Sequence, residues 1–286
     1  QSYCWYAFIR QDFLMYYRYS QKWIDLFSEN ELMKSVETGH YIKGMHTLLN
    51  AHFDLRNFKA FQETLDQFEA FAKTPAANQH DNFRTHTSIY INGAKINQCL
   101  MKGEFHKGIT MVPEVEAKLK EYSLFVDSHR ILVFNYKFAS LYFGAGEYLK
   151  AIDYLHKIIN DNQQGLRNDL QCYARLMHLI CHYEIGNEEI LESLIKSVYR
   201  FFARMKNLTI VEEAIFTFLR HSFTVNAKLL KPELEQFLKK IKHLEKNRFE
   251  TRSFAYLDVI SWVESKVYEK PMEEIIHEKY MESKHR

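Results

Sequence analysis

The chain has 286 residues, with 47% apolar and 26% charged side chains, a composition that folds rather than one that stays disordered. Only 9 Gly and 4 Pro are present, too few turn-formers for a β-sandwich or barrel and too little glycine for a phosphate-cradling loop. With 38 Lys+Arg against 36 Asp+Glu, the net charge of +2 sets up no field that demands nucleic acid or an anionic membrane.

In chain order, almost every segment carries apolar residues at helical spacing. First helices are expected near 41–55, 85–102, 127–143 and 168–185. Their partners are expected near 58–72, 105–122, 148–161 and 188–206. Between 127 and 161 the pattern is clearest: Ile131, Val133, Phe134, Phe138, Leu141 and Tyr142 form one stripe, and Ala151, Ile152, Leu155, Ile158 and Ile159 the next. Gly144-Ala145-Gly146-Glu147 separates them, so the two make a helical hairpin. Asp127 and Asp169 suit helix starts as caps. Pro113 is expected to kink or break its helix. The stretch from Lys73 to Asn82 reads as a polar connection. Further helices are expected near 209–226, 232–246 and 250–268, the second starting at Pro232 and the third capping the stack.

A short polar or glycine turn followed by a second helix recurs at Gln11-Asp12-Phe13, Arg56-Asn57-Phe58, Gly103-Glu104-Phe105, Gly146-Glu147-Tyr148 and Gly186-Asn187-Glu188. The third residues of these turns lie 45, 47, 43 and 40 positions apart, a period typical of stacked repeats. Isolated hairpins cannot bury their own apolar faces, so neighbours must stack. The fold expected is therefore all-α: a right-handed superhelix of hairpins over 1–268 as one domain, with a charged tail over 269–286 that is helical or frayed.

Ala139, Tyr142, Gly146, Tyr148, Ala151, Leu155 and Ile158 resemble the tetratricopeptide repeat pattern. The other units depart from it: Gly108, Phe61 and Leu191 stand where alanine belongs, and Cys99 and His182 where the first-helix aromatic belongs. The chain also resembles divergent bacterial repeat proteins of unknown function. The resemblance implies a groove lined by first helices that holds a peptide. By register its residues would be Lys43, His46, Asn50 and Phe53, then Tyr90 and Asn97, then Tyr136 and Ser140, then Tyr173 and Tyr183. Asn50 and Asn97 occupy matching places, where family members bond a peptide backbone. Gly93 and Ala94 leave a terminal-carboxylate clamp incomplete.

His178-Leu-Ile-Cys181-His182 places two histidines one turn apart, a spacing that can hold a metal. Leu179 follows the first His where a zinc protease needs Glu, and the register puts both rings on a packing face, so no metal and no cofactor are expected. No nucleophile elbow or Walker motif is present, and Glu188-Glu189 reads as a helix-start pair, so the chain is expected not to be an enzyme. From Lys196 to Arg252 there are 13 Lys+Arg against six Glu, including Lys239-Lys240-Ile241-Lys242 and Lys246-Asn247-Arg248. That stretch reads as a solvated face, with nucleic acid as the weaker alternative.

The function expected is protein–protein interaction with a peptide or protein partner in the groove. A regulatory sensor controlling an upstream domain is the alternative. The chain begins Gln1-Ser2-Tyr3 without Met and is expected to be a fragment; no signal peptide or membrane-length apolar run is visible. Cys4, Cys99, Cys172 and Cys181 lack ligand spacing and suit buried thiols in a reducing, cytoplasmic setting.

Overall fold

The computed structural model describes residues 1–161, 167–222, 227–245 and 251–284. Among these the chain is all-α, with 17 helices and no strand. In order they are α1 Ser2–Ile9, α2 Phe13–Glu29, α3 Met33–Val36, α4 Thr38–Asp54, α5 Phe58–Ala72, α6 Pro75–Asn78, α7 Asp81–Lys102, α8 Phe105–Glu121 and α9 Ser128–Gly144. There follow α10 Tyr148–Ile159, α11 Asn168–Glu184, α12 Glu188–Arg204, α13 Ile210–Ser222, α14 Ala227–Glu245, α15 Thr251–Tyr256, α16 Val259–Val267 and α17 Met272–Lys284.

The chain forms two compact units. Unit 1 comprises Gln1–Met101 and Thr110–Asp127, and unit 2 comprises Lys102–Ile109 and Ser128–Arg286.

The hairpin turns share one construction. Gln11, Arg56, Gly103, Gly146 and Gly186 all take positive φ, at 57°, 50°, 70°, 78° and 71°. At the fourth of these turns, the Gly146 N–H reaches the Phe143 carbonyl at 3.0 Å and the Glu147 N–H reaches the Tyr142 carbonyl at 2.8 Å. A left-handed residue thus closes the helix by satisfying carbonyls that would otherwise be orphaned, and frees the chain to reverse. The same device recurs where no sequence signal marks it, at Lys206 (φ 52°) and Glu269 (φ 56°).

In unit 1, α4 packs on α2 and α5. Its buried stripe is Tyr41, Ile42, Met45, Leu48, Leu49 and His52, facing Phe61, Leu65 and Phe68 of α5 among others. Tyr41 meets Phe27 and Phe71 edge-on at 5.2 and 4.6 Å. In unit 2, α10 lies between α9 and α11. Ala139 and Ala151 are fully buried there, small residues that let α9 and α10 approach. Each buried large side chain contributes about 1.5–3 kcal/mol over leaving it in water.

Several expectations are corrected. The helix carrying Pro113 runs unbroken from Phe105 to Glu121; proline forgoes one bond, to the Ile109 carbonyl, and the flanking burial of Val112 and Val115 holds the helix. Helix α14 begins at Ala227, not at Pro232, because Leu234, Phe237, Leu238 and Ile241 bury a stripe that outweighs one missing bond. The helix expected over 250–268 is two, α15 and α16, since Asp258 breaks it by capping Ser261 N–H at 3.0 Å. The connection after Lys73 holds a helical turn, Pro75–Asn78, capped by Thr74. Asp169 is not a cap: Arg167, at φ 62°, precedes α11, and Asp169 pairs with it.

The charged tail is α17, with Ile275, Ile276 and Tyr280 buried. It docks within unit 2 on the turn at Gly103. His106 Nδ1 meets Glu273 Oε2 at 2.6 Å, and His277 Nδ1 meets the Lys102 carbonyl at 3.1 Å. A Cβ on Gly103 would stand 2.6 Å from the Glu273 carbonyl oxygen, whereas one on Gly146 or Gly186 would meet nothing within 4 Å. Alanine at Gly146 or Gly186 is therefore expected to cost only the left-handed strain, about 1–2 kcal/mol. Gly103→Ala must also displace α17 and is expected to cost more, in a ranking read from urea denaturation midpoints of the three variants.

Candidate functional site

In unit 1, Lys43, His46, Asn50 and Phe53 fall at steps of three, four and three residues, which places them on one stripe of α4, away from its buried stripe. Lys43 is exposed, and the other three are half-buried. The His46 ring lies face to face with Tyr90 of α7, centroids 3.9 Å apart and planes within 7°. Asn50 Nδ2 lies 3.2 Å from His46 Nε2, and His86 meets Tyr90 edge-on at 5.7 Å. Tyr90 and Asn97 are themselves buried. Tyr90 therefore acts as the floor on which His46 rests, and Lys43, Asn50 and Phe53 flank it. No acidic residue occurs from Thr38 to Phe53. The surface so made combines a cation, an amide and two aromatic rings, a set suited to polar-aromatic contact.

In unit 2 the corresponding first-helix residues meet the chain's own later helices. Tyr136 and Tyr173 are buried. Tyr136 donates its hydroxyl to the Tyr256 carbonyl at 2.9 Å, and Ser140 bonds back to the Tyr136 carbonyl at 2.9 Å. Tyr173 stacks on Tyr256 at 4.5 Å with planes 4° apart and donates to Glu212 Oε1 at 3.2 Å. Tyr183 is half-buried against Phe218 and Trp262, at 6.4 and 6.2 Å between centroids. Helices α13, α15 and α16 thus cover this face.

Apart from Asp169, read from the sequence only as a helix cap, the residues that hold the cover were not among those the sequence singled out. Glu212 is fully buried and accepts from Tyr173, Ser253, and the backbone and hydroxyl of Thr209. Arg167 Nε lies 2.9 Å from both Asp169 oxygens, its Nη2 donates to the Tyr256 hydroxyl at 3.1 Å, and that hydroxyl donates to Asp169. Burial opposes charge on Asp169, yet bonds from Arg167 and Tyr256 hold its carboxyl below the usual range. Burial raises the Tyr136 hydroxyl well above its ordinary value, so it stays a neutral donor. Glu184 accepts from Trp262 Nε1 at 2.6 Å and from Lys266, and Glu264 pairs with Lys242 and Lys279 at 2.5 Å each.

In the basic stretch Lys196 pairs with Glu192, Lys231 with Glu269 and Lys242 with Glu264, while Arg200, Arg204, Lys206, Arg220, Lys239 and Lys240 are exposed. Lys246-Asn247-Arg248 lies outside the described residues. The four cysteines are free and buried, and burial pushes the Cys181 thiol up, away from the thiolate a ligand or nucleophile needs. No three His, Cys, Asp or Glu side chains among the described residues stand in metal-holding geometry. No helix among them is long and apolar enough to cross a membrane. Compared with protein-family models, curated proteins and solved structures, the chain matches none.

The Arg167–Asp169–Tyr256 bonds yield a pH-dependent expectation. Asp169 is depressed in the folded state, so its contribution is complete above the ordinary carboxylate range and fades as pH falls through the lower folded value. Asp169→Asn is expected to lose about 1–3 kcal/mol near neutral pH. The gap to the wild type should narrow as pH falls below the ordinary carboxylate value of about 3.9, as read from denaturant midpoints at neutral and acid pH.

Proposed function

We propose that the chain is a non-catalytic interaction module whose tetratricopeptide-like hairpins stack into a right-handed superhelix, and that it binds a peptide or protein partner. The observation that carries this reading is the α4 stripe of unit 1. There Lys43, His46, Asn50 and Phe53 remain open or half-open over the Tyr90 ring. The equivalent tyrosines of unit 2 are already engaged by α13, α15 and α16, so the working face lies on α4 and α7.

The chemistry supports capture of an extended segment or a helix edge. Asn50 offers an amide to a backbone, Lys43 a cation, and the His46–Tyr90 pair a flat aromatic shelf with little rotamer entropy to lose. Buried free thiols suit a reducing compartment, and the reading includes a cytoplasmic location.

The experiment is a peptide array and pull-down with the purified chain, followed by titration of any hit. Lys43→Ala and Asn50→Ala are each expected to weaken binding about tenfold, whereas Lys240→Ala on α14 leaves it unchanged. Absence of any bound peptide or protein, or equal affinity in all variants, defeats the proposal.

A further inference from the structure

A chain of three imidazoles joins α10 to α11 inside unit 2. His178 of α11 places its Nε2 2.9 Å from Nε2 of His156 on α10 and 3.2 Å from Nε2 of His182, one turn along α11. The His182 Nδ1 in turn lies 2.9 Å from Asn187 Nδ2. His178 is buried, His182 half-buried and His156 exposed, so the chain runs from solvent into the packing between two helices.

A neutral imidazole nitrogen either carries a proton or offers one lone pair. At His178 Nε2 that one lone pair or one proton is shared between the two neighbours as a bifurcated contact, while the three rings divide their protons suitably. Once all three rings are imidazolium, every one of these nitrogens is a donor. Both contacts then set N–H against N–H, with positive charges in mutual contact, and neither can persist.

We propose that the His156–His178–His182 contact is an acid-released latch between α10 and α11. It holds the two helices together when the rings are neutral and opens when protons are added.

The surroundings favour release over accommodation. The groups that act on His178 are His182 and Arg175 from its own helix and His156 from α10. All three add positive character. Burial above all, then these neighbours, push the His178 ring down to about 3. Burial and His156 push His182 down as well. With folded values below the ordinary histidine range, the unfolded or opened state binds more protons. The latch is thus complete above about pH 6.5 and is lost progressively as pH falls below it. The other ties across the same seam are the Gln171 amide on the Ile158 carbonyl, 2.6 Å, and Arg175 on the Ile159 carbonyl, 3.2 Å. Both lie within one turn of His156 at the C-terminal end of α10, while Tyr148 bonds Glu184 at the other end of the seam, so the histidine contact is released between ties that remain.

Hydrogen exchange tests this on the full chain, with protection factors for α10 and α11 compared at about pH 7.5 and pH 5. In the wild type, protection over Tyr148–Ile159 and Asn168–Glu184 is expected to fall at least about tenfold on acidification. In His178→Gln, whose amide keeps one donor and one acceptor at both pH values, the change should stay within about twofold. The readout is local because buried His52 of unit 1, also lowered to about 4 by burial, adds its own acid sensitivity elsewhere. An equal fall in wild type and variant, or no fall in the wild type, overturns the proposal. Should His178→Gln fail to fold, His156→Gln and His182→Gln take its place: a wild-type fall that both variants reduce supports the latch, and a fall that both keep in full overturns it.

Discussion

A helix that must turn back on its neighbour has to end cleanly, and in this chain one backbone device does so again and again. A single residue enters the left-handed region, two amides fold back onto carbonyls of the last turn, and the next helix begins within about two residues. Arg56, Gly146 and Gly186 perform it in full, and Gly103, Lys206 and Glu269 share its left-handed residue. Everything else in the fold is packing that these reversals make available. The apolar stripe of each helix is too narrow to be stable alone, and the reversal delivers a second stripe to cover it.

How much of this was legible in the sequence depended on range. The turns at Gln11, Arg56, Gly103, Gly146 and Gly186 were read from their residues; a positive φ was legible only at the three glycines, and Gln11 and Arg56 adopt it as well. The turns at Lys206 and Glu269 were not, because neither residue is a turn-former and their conformation is imposed by the helices on either side. The α4 stripe was named only by register, from the resemblance to the repeat family. What lies over Tyr136 and Tyr173 was not, since Tyr256 is 120 residues from the first and reaches it only through tertiary contact. His178 and His182 announced themselves by a four-residue interval, whereas His156 had no sequence relation to them and joins from the neighbouring helix.

Unit 2 keeps several carboxylates away from water, each with matched donors: Glu212 among hydroxyls, Asp169 with a guanidinium, Glu184 with an indole and an ammonium, Glu264 with two lysines. Such groups add little net stability over a well-packed apolar alternative. Their geometry is more demanding than that of hydrocarbon, and misplacing α13, α15 or α16 by one turn strands a charge. In this chain they act as register marks for the helices that cover α9 and α11.

The docking of α17 at Gly103 has a consequence for how the molecule is made. His106 and Glu273 are separated by 167 positions, and unit 2 gathers its first strip of chain, Lys102–Ile109, long before its last helix exists. A ribosome delivers the chain from the N-terminus, so the apolar side of that turn stays uncovered throughout most of synthesis. Completion waits on closing a very long loop, longer than the 120 residues between Tyr136 and Tyr256. Nascent or prematurely terminated chains are the forms in which this seam stands open to chaperones and proteases.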